Sequence, residues 1–174
     1  MPSAADAILR WQDSNRELVA GCMRGDGRQK ARLARVRAAF ARERERLAAP
    51  LTLYRGTRVT DIYNREEEGQ GGATSYNVGA TEVLSCPLSF TRSRAAAREF
   101  ADWRKGVRGR IHVVSLPVGT PIVDVARYVQ QGVGPAFRDQ KRRDNAAREK
   151  EVVLDRVQLL CTRVTSRSVY WSAK

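Results

Sequence analysis

The sequence predicts an α+β domain in which a helical N-terminal part, residues 1–50, precedes a core of short strands over residues 51–174. Three observations carry this. Apolar residues recur at helical spacing as far as Leu47 and stop at Pro50. Alternating and β-branched runs bounded by Gly, Pro and Asp take over from Leu51. A chain of 174 residues, 42% of them hydrophobic, is long and apolar enough for a sizeable core.

The first helix spans residues 4–24, with Ile8, Leu9, Trp11, Leu18, Val19, Cys22 and Met23 as its apolar positions, and Gly25-Asp26-Gly27 breaks it. The second runs from Arg28 to Ala49 on a stripe of Leu33, Val36, Phe40 and Leu47. Its arginines (Arg32, Arg35, Arg37, Arg42, Arg44, Arg46) are read as a solvated face or as a nucleic-acid-binding face. Leu51–Arg55 alternates as a strand and ends at Gly56. Residues 61–79 are polar and glycine-rich, hence a loop; a strand follows over 82–91, and an alanine-rich helix over 93–103. Arg110–Leu116 reads as a strand, Ile122–Val129 as a short apolar element, and 130–148 as a basic loop. Glu151–Leu154 and Val157–Val164 form two strands around a tight turn at Asp155-Arg156, and Ser168–Trp171 a last one.

Composition narrows the chemistry. Lys and Arg number 32 against 19 Asp and Glu, a net charge of +13, which favours polyanionic partners such as nucleic acid, an acidic protein or a phosphate-bearing cosubstrate. No stretch reaches the ~20 apolar residues a membrane span needs, and no basic-then-apolar signal peptide opens the chain. Three scattered cysteines (Cys22, Cys86, Cys161) make no disulfide framework, which suits a reducing compartment. With His112 the lone imidazole, His-triad hydrolases and His-rich metal sites are excluded. The cluster Gly69-Gln70-Gly71-Gly72 lacks a leading strand and meets Thr74 where a dinucleotide fingerprint needs glycine, so it reads as loop. No P-loop, HExxH, EF-hand or zinc-knuckle spacing occurs, and no metal is expected.

Three short segments remain. An arginine that ends a strand before glycine, Tyr54-Arg55-Gly56-Thr57, can present its guanidinium beside a backbone that a ligand may approach closely, which suits a phosphate or a ribose hydroxyl. Ser89-Phe90-Thr91 on a strand puts both hydroxyls on one face and the phenyl on the other. Glu149-Lys150-Glu151, read as a strand entrance, puts two carboxylates on one face with Lys150 turned away. Such a repulsive pair needs a cationic or hydroxyl partner, and it suits a positively charged transition state.

In this order the segments, with Ala97 and Phe100 as an A-x-x-F helix after the second, resemble the arginine–serine–glutamate (ExE) clade of mono-ADP-ribosyltransferases, which includes many bacterial toxins and effectors. The resemblance covers roughly residues 51–164 and departs from the usual Ser-Thr-Ser at Phe90 and Thr91; a shift onto Thr91-Arg92-Ser93 would bring the A-x-x-F helix too close. It implies a core of two packed, mainly antiparallel sheets, with NAD as cosubstrate and no metal. Arg55 would then contact NAD at its phosphates or nicotinamide ribose, and the Gly56 backbone would bind the nicotinamide amide. Ser89 would orient Glu151, with Thr91 supporting the site. Glu151 would be the catalytic glutamate, hydrogen-bonded to the ribose 2′-hydroxyl and stabilising the oxocarbenium-like charge left as nicotinamide departs. Glu149 would engage the acceptor, a glutamate there going with arginine.

The acceptor is open at this level. Glu149 points to a protein arginine, whereas Lys141, Arg142, Arg143, Arg148 and Lys150 around it point to an acidic or nucleic-acid-associated protein, or to RNA. An acidic inhibitor or immunity protein would neutralise the same charges. Phe137 is either a core residue or the aromatic that relatives place earlier in this loop. The site of action implied is cytoplasmic, reached as a secreted effector or toxin. Outside enzymes, the alternative is a basic, non-catalytic nucleic-acid-binding domain.

Overall fold

The computed structural model describes residues 4–57, 76–84, 86–102, 109–132 and 138–174. The glycine cluster at 69–72 and Phe137 lie outside the described residues. Helix α1 (Ala4–Met23) and helix α2 (Gly27–Glu43) form an antiparallel pair. Gly25, at φ 86°, makes the turn between them, and Asp26 caps α2 by accepting from the Arg28 and Gln29 amides at 2.8 and 3.2 Å. The predicted helix end at Ala49 is corrected. Residues 45–46 leave the helix as strand β1 (Glu45–Arg46), because their backbone pairs with the 121–122 segment and Leu47 bonds to Thr120 and Gly119.

The remaining elements are β2 (Leu51–Thr57), β3 (Thr81–Val83), β4 (Leu88–Thr91), α3 (Arg94–Asp102), β5 (Arg110–Leu116), β6 (Pro121–Asp124), α4 (Val125–Gln131), α5 (Gln140–Glu149), β7 (Glu151–Leu154), β8 (Gln158–Val164) and β9 (Ser168–Ala173). Two further expectations change. The strand read over 82–91 is two strands, divided before Pro87, and β3 pairs with β8 while β4 pairs with β7. The basic loop read over 130–148 contains α5, a helix with no apolar stripe: only Ala146 of it is buried. Polar contacts hold it instead. Asp139 caps it, Gln140 bonds to Asp144 one turn on at 2.8 Å, and Arg143 donates to the Gln130 carbonyl at the end of α4 at 3.2 Å.

Among the described residues the strands form one nine-stranded hydrogen-bonded run in the order β1-β6-β7-β4-β2-β5-β9-β8-β3, antiparallel except for β5–β9. The run narrows at one place. Between β4 and β2 the ladder is a single pair, Tyr54↔Thr91. The expected two sheets are thus a four-stranded and a five-stranded half joined at one bridge.

Leu53, Val114, Val152, Leu154, Val169 and Trp171 share one apolar cluster with Trp11, Leu33 and Phe40 of the helix pair. On the opposite face of β2 and β5, Ala97 and Ala101 of α3 pack with Ile111 and Val113. Of the α2-side arginines expected in solvent, Arg37 is half-buried and pairs with the buried Asp155 between β7 and β8 at 2.8 Å, while Arg44 stays exposed and reaches the same carboxylate at 3.5 Å. The Cys86 and Cys161 side chains are buried.

Helix α3 can reach β2 because position 56 has no side chain. A Cβ at Gly56 would lie 2.0 Å from the Ala97 carbonyl oxygen and 2.7 Å from the Ala101 nitrogen, both backbone atoms that cannot swing aside. The alanine of the A-x-x-F pattern is therefore a helix–strand contact as much as a sequence signature. Gly56→Ala is predicted to cost about 1–3 kcal/mol by overpacking and to lower Tm by several degrees. Gly27→Ala, in open space at the start of α2, should leave Tm unchanged or raise it slightly. Thermal unfolding of both variants checks this; equal melting of the two would contradict it.

Candidate active site

Four of the residues singled out in the sequence meet at the bridge between the two half-sheets. Arg55 follows Tyr54 on β2, and its side chain lies on the Leu53 face, away from α3. Its Nη1 donates to the Ser89 carbonyl on β4 at 2.7 Å. The Ser89 hydroxyl donates to Oε1 of Glu151, the first residue of β7, at 2.5 Å. Thr91 pairs with Glu151 in the β4–β7 ladder, and its buried hydroxyl donates to the Glu149 carbonyl while accepting from the Ser93 amide at 2.9 Å. Phe90, between the two hydroxyls, turns into the core, as strand alternation requires.

Glu149 is placed by a different device from the one its spacing suggested. It is not on a strand: it is the last residue of α5, and Lys150 turns the chain through the left-handed region at φ 47° before β7 begins. The Lys150 amide closes the helix on the Ala146 carbonyl at 2.9 Å, and the Arg92 amide holds the Lys150 carbonyl at 3.2 Å. The two glutamates consequently differ in environment. Glu151 is 8% exposed, on a strand whose four residues are all buried, whereas the Glu149 side chain is 35% exposed and takes the Arg148 guanidinium at 3.3 Å.

Burial pushes the Glu151 carboxyl above the usual glutamate range, and the neighbouring Glu149 adds to that; hydrogen bonds from Ser89 and Trp11, and the charge of Arg55, oppose it. The Trp11 contact was not anticipated. Its indole Nε1–H donates to Glu151 Oε1 at 3.0 Å from the buried face of α1. In the sequence Trp11 is one apolar position among seven; the only signal available was that a buried indole needs an acceptor somewhere.

A second unanticipated group lies across β2. His112 pairs with Arg55 in the β2–β5 register. Trp171 donates to its Nδ1 at 3.2 Å; an indole only donates, so the imidazole proton sits on Nε2 and goes to the Thr57 hydroxyl at 3.2 Å. Burial first, then Arg55 and Arg110, push this histidine down to about 3, so it stands neutral beside Arg55. Tyr76 packs edge-on to both rings, at 5.4 and 5.5 Å. Burial and cationic neighbours thus favour the neutral imidazole at neutral pH.

The arrangement offers a carboxylate held on one oxygen, a guanidinium anchored beside it, and a second, more exposed carboxylate two residues away. Such a set can stabilise a developing cation and receive a second cationic group.

The raised Glu151 value has a stability consequence. Between the ordinary glutamate pKa and the folded one, the native state holds the proton more tightly than the unfolded state. Stability from this group is full below the unfolded pKa and is lost as pH rises through the folded one. Glu151→Gln should therefore melt above wild type at pH 7–8, with the difference shrinking towards pH 4. Tm measured for both proteins across that range checks the sign, and parallel curves would contradict it.

No family model matches the sequence, and no curated protein matches it. Solved structures do match its fold. Plx2a, an ADP-ribosyltransferase toxin from Paenibacillus larvae, superposes with a TM-score of 0.64 at 14% identity, over 98% of this chain and 85% of that one. Exoenzyme S from Pseudomonas aeruginosa, in complex with human 14-3-3 protein beta and bound to carba-NAD, gives 0.60 at 17% identity, over 95% and 70%. The ADP-ribosyltransferase Vis from Vibrio splendidus, in complex with agmatine, gives 0.57 at 14%, over 98% and 72%. The chain has the fold of the bacterial ADP-ribosyltransferase toxins.

Proposed function

We propose that the protein is an NAD-dependent mono-ADP-ribosyltransferase of the arginine–serine–glutamate type that transfers ADP-ribose to a protein arginine. The observation that supports this most is the two-bond chain Arg55–Ser89–Glu151 at the bridge between the half-sheets. Three chemically distinct groups, drawn from three strands, converge in a chain whose fold is shared by structures named ADP-ribosyltransferases and by one bound to carba-NAD.

In this reading Arg55 grips the phosphates or the nicotinamide ribose, and the Gly56 backbone holds the nicotinamide amide. Breaking the nicotinamide–ribose bond expels a neutral leaving group and leaves positive charge on the sugar. Glu151 stabilises that charge and binds the 2′-hydroxyl, Ser89 holds the Glu151 carboxyl, and Thr91 fixes the turn that connects the two glutamates. Because burial raises the Glu151 pKa, activity falls on the acid side as this carboxylate takes up its proton.

Glu149 receives the acceptor. Its half-exposed carboxylate already takes one guanidinium, that of Arg148, which supports an arginine acceptor. The basic rim is also thinner than its sequence suggested: Arg142 pairs with Asp13 at 3.1 Å and Arg143 turns to the Gln130 carbonyl, which leaves Lys141, Arg148 and Lys150 exposed. The net charge of +13 favours a second reading, in which the acceptor is RNA or an RNA-bound protein. The same charge suits an acidic inhibitor or immunity protein. The toxin fold supports a site of action in the cytoplasm of a target cell. No helix among the described residues is long and apolar enough to cross a membrane.

Incubation with labelled NAD, with agmatine or protein as acceptor, tests the reading. Glu151→Gln should lower nicotinamide release and transfer together by roughly 10³-fold, about 4 kcal/mol of lost transition-state stabilisation. Glu149→Gln should suppress transfer to agmatine while sparing NAD hydrolysis. If Glu149→Gln abolishes both activities, its acceptor role is wrong; wild-type activity in Glu151→Gln would refute the mechanism. Label lost to nuclease rather than protease would select the RNA reading.

A further inference from the structure

Trp11 is fully buried on α1, edge-on to Phe40 at 5.4 Å. Its N–H can only donate, and in a dry environment it must find an acceptor. The one it finds is 140 residues away in sequence: Glu151 Oε1, at 3.0 Å. Ser89 donates to that same oxygen at 2.5 Å.

We infer that Trp11 is a positioning residue for Glu151: two donors converging on Oε1 fix the rotation of the carboxyl group and leave Oε2 as the oxygen presented to the ribose. This inference rests on the NAD reading for its functional half and on the geometry alone for its structural half. A hydroxyl by itself would fix little, since Ser89 can rotate and can accept as well as donate. The indole has neither freedom. Held by its packing on Phe40, it makes Oε1 an acceptor in every state of the site and leaves Oε2 to carry the proton when Glu151 is neutral. Its donation also opposes the effect of burial on the carboxyl, so losing it moves Glu151 to a higher pKa. The other charges near that carboxyl, Glu149 and Arg55, are untouched by a change at position 11.

Trp11→Phe keeps a ring against Phe40 and removes the N–H. The expected result is a fall in kcat for NAD hydrolysis of roughly tenfold at neutral pH, KM for NAD close to wild type, and an acid limb of the pH–rate profile displaced to higher pH. A merely structural role would move Tm and KM and leave the acid limb in place, and that pattern would overturn the inference. The second measurement needs neither activity nor a variant at position 11. In ¹⁵N-labelled wild-type protein the Trp11 indole resonance should titrate with the Glu151 carboxyl, and in Glu151→Gln it should be flat. An indole resonance insensitive to Glu151 would overturn the inference whether or not Trp11→Phe folds. Wild-type protein inactive towards NAD, with an indole that follows Glu151, would instead refute the proposed function and leave the positioning contact standing.

Discussion

A carboxylate at the head of a strand that is buried throughout its length is a costly thing to build, and the rest of the site is arranged around that cost. Glu151 loses most of its hydration, and a carboxylate so placed either takes a proton or acquires donors. It acquires two on one oxygen, from Ser89 and Trp11, with the Arg55 guanidinium close enough to matter electrostatically. Each donor comes from a different element. The site is therefore only as well formed as the packing of α1, β4 and β2 around β7, and the function proposed for the chain inherits that dependence.

The bridge at Tyr54↔Thr91 explains why these groups meet at this point of the sheet. Where two half-sheets touch through one residue pair, no continuing ladder joins the backbones of the two strands on either side of it. Arg55 is one residue beyond the bridge on β2, Ser89 is two residues before it on β4, and Glu151 faces Thr91 on β7. Gly56 secures the same place from behind, because α3 lies against the strand through the space its missing side chain leaves. The N-terminal helices take part too. They share the main apolar cluster, and through Trp11 and Arg37 they reach both ends of β7.

What the sequence made legible was what is local. The strands 110–116, 151–154 and 158–164 follow from β-branched runs, the last two parted by residues 155–157, with Arg156 in the left-handed region at φ 59°. The cluster Arg55, Ser89, Thr91, Glu151 was legible through a resemblance that orders three short motifs, each of which is set by its own strand. Features decided at long range were not legible. Helix α5 has no apolar periodicity because polar contacts with α1 and α4 hold it, so its basic residues read as loop. Residues 45–46 have ordinary helical propensity and are drawn into a strand by partners near position 121. The Trp11–Glu151 bond joins residues at opposite ends of the chain, and nothing in the local spacing of either announces the other.

The most direct measurement of the central claim is a crystal structure with carba-NAD, whose nicotinamide bond does not hydrolyse. The account predicts the analogue at the bridge between the half-sheets, with its ribose 2′-hydroxyl hydrogen-bonded to Glu151 and its phosphates or ribose at Arg55. An analogue bound elsewhere on the molecule, or failure to bind at concentrations that saturate Exoenzyme S, would contradict it.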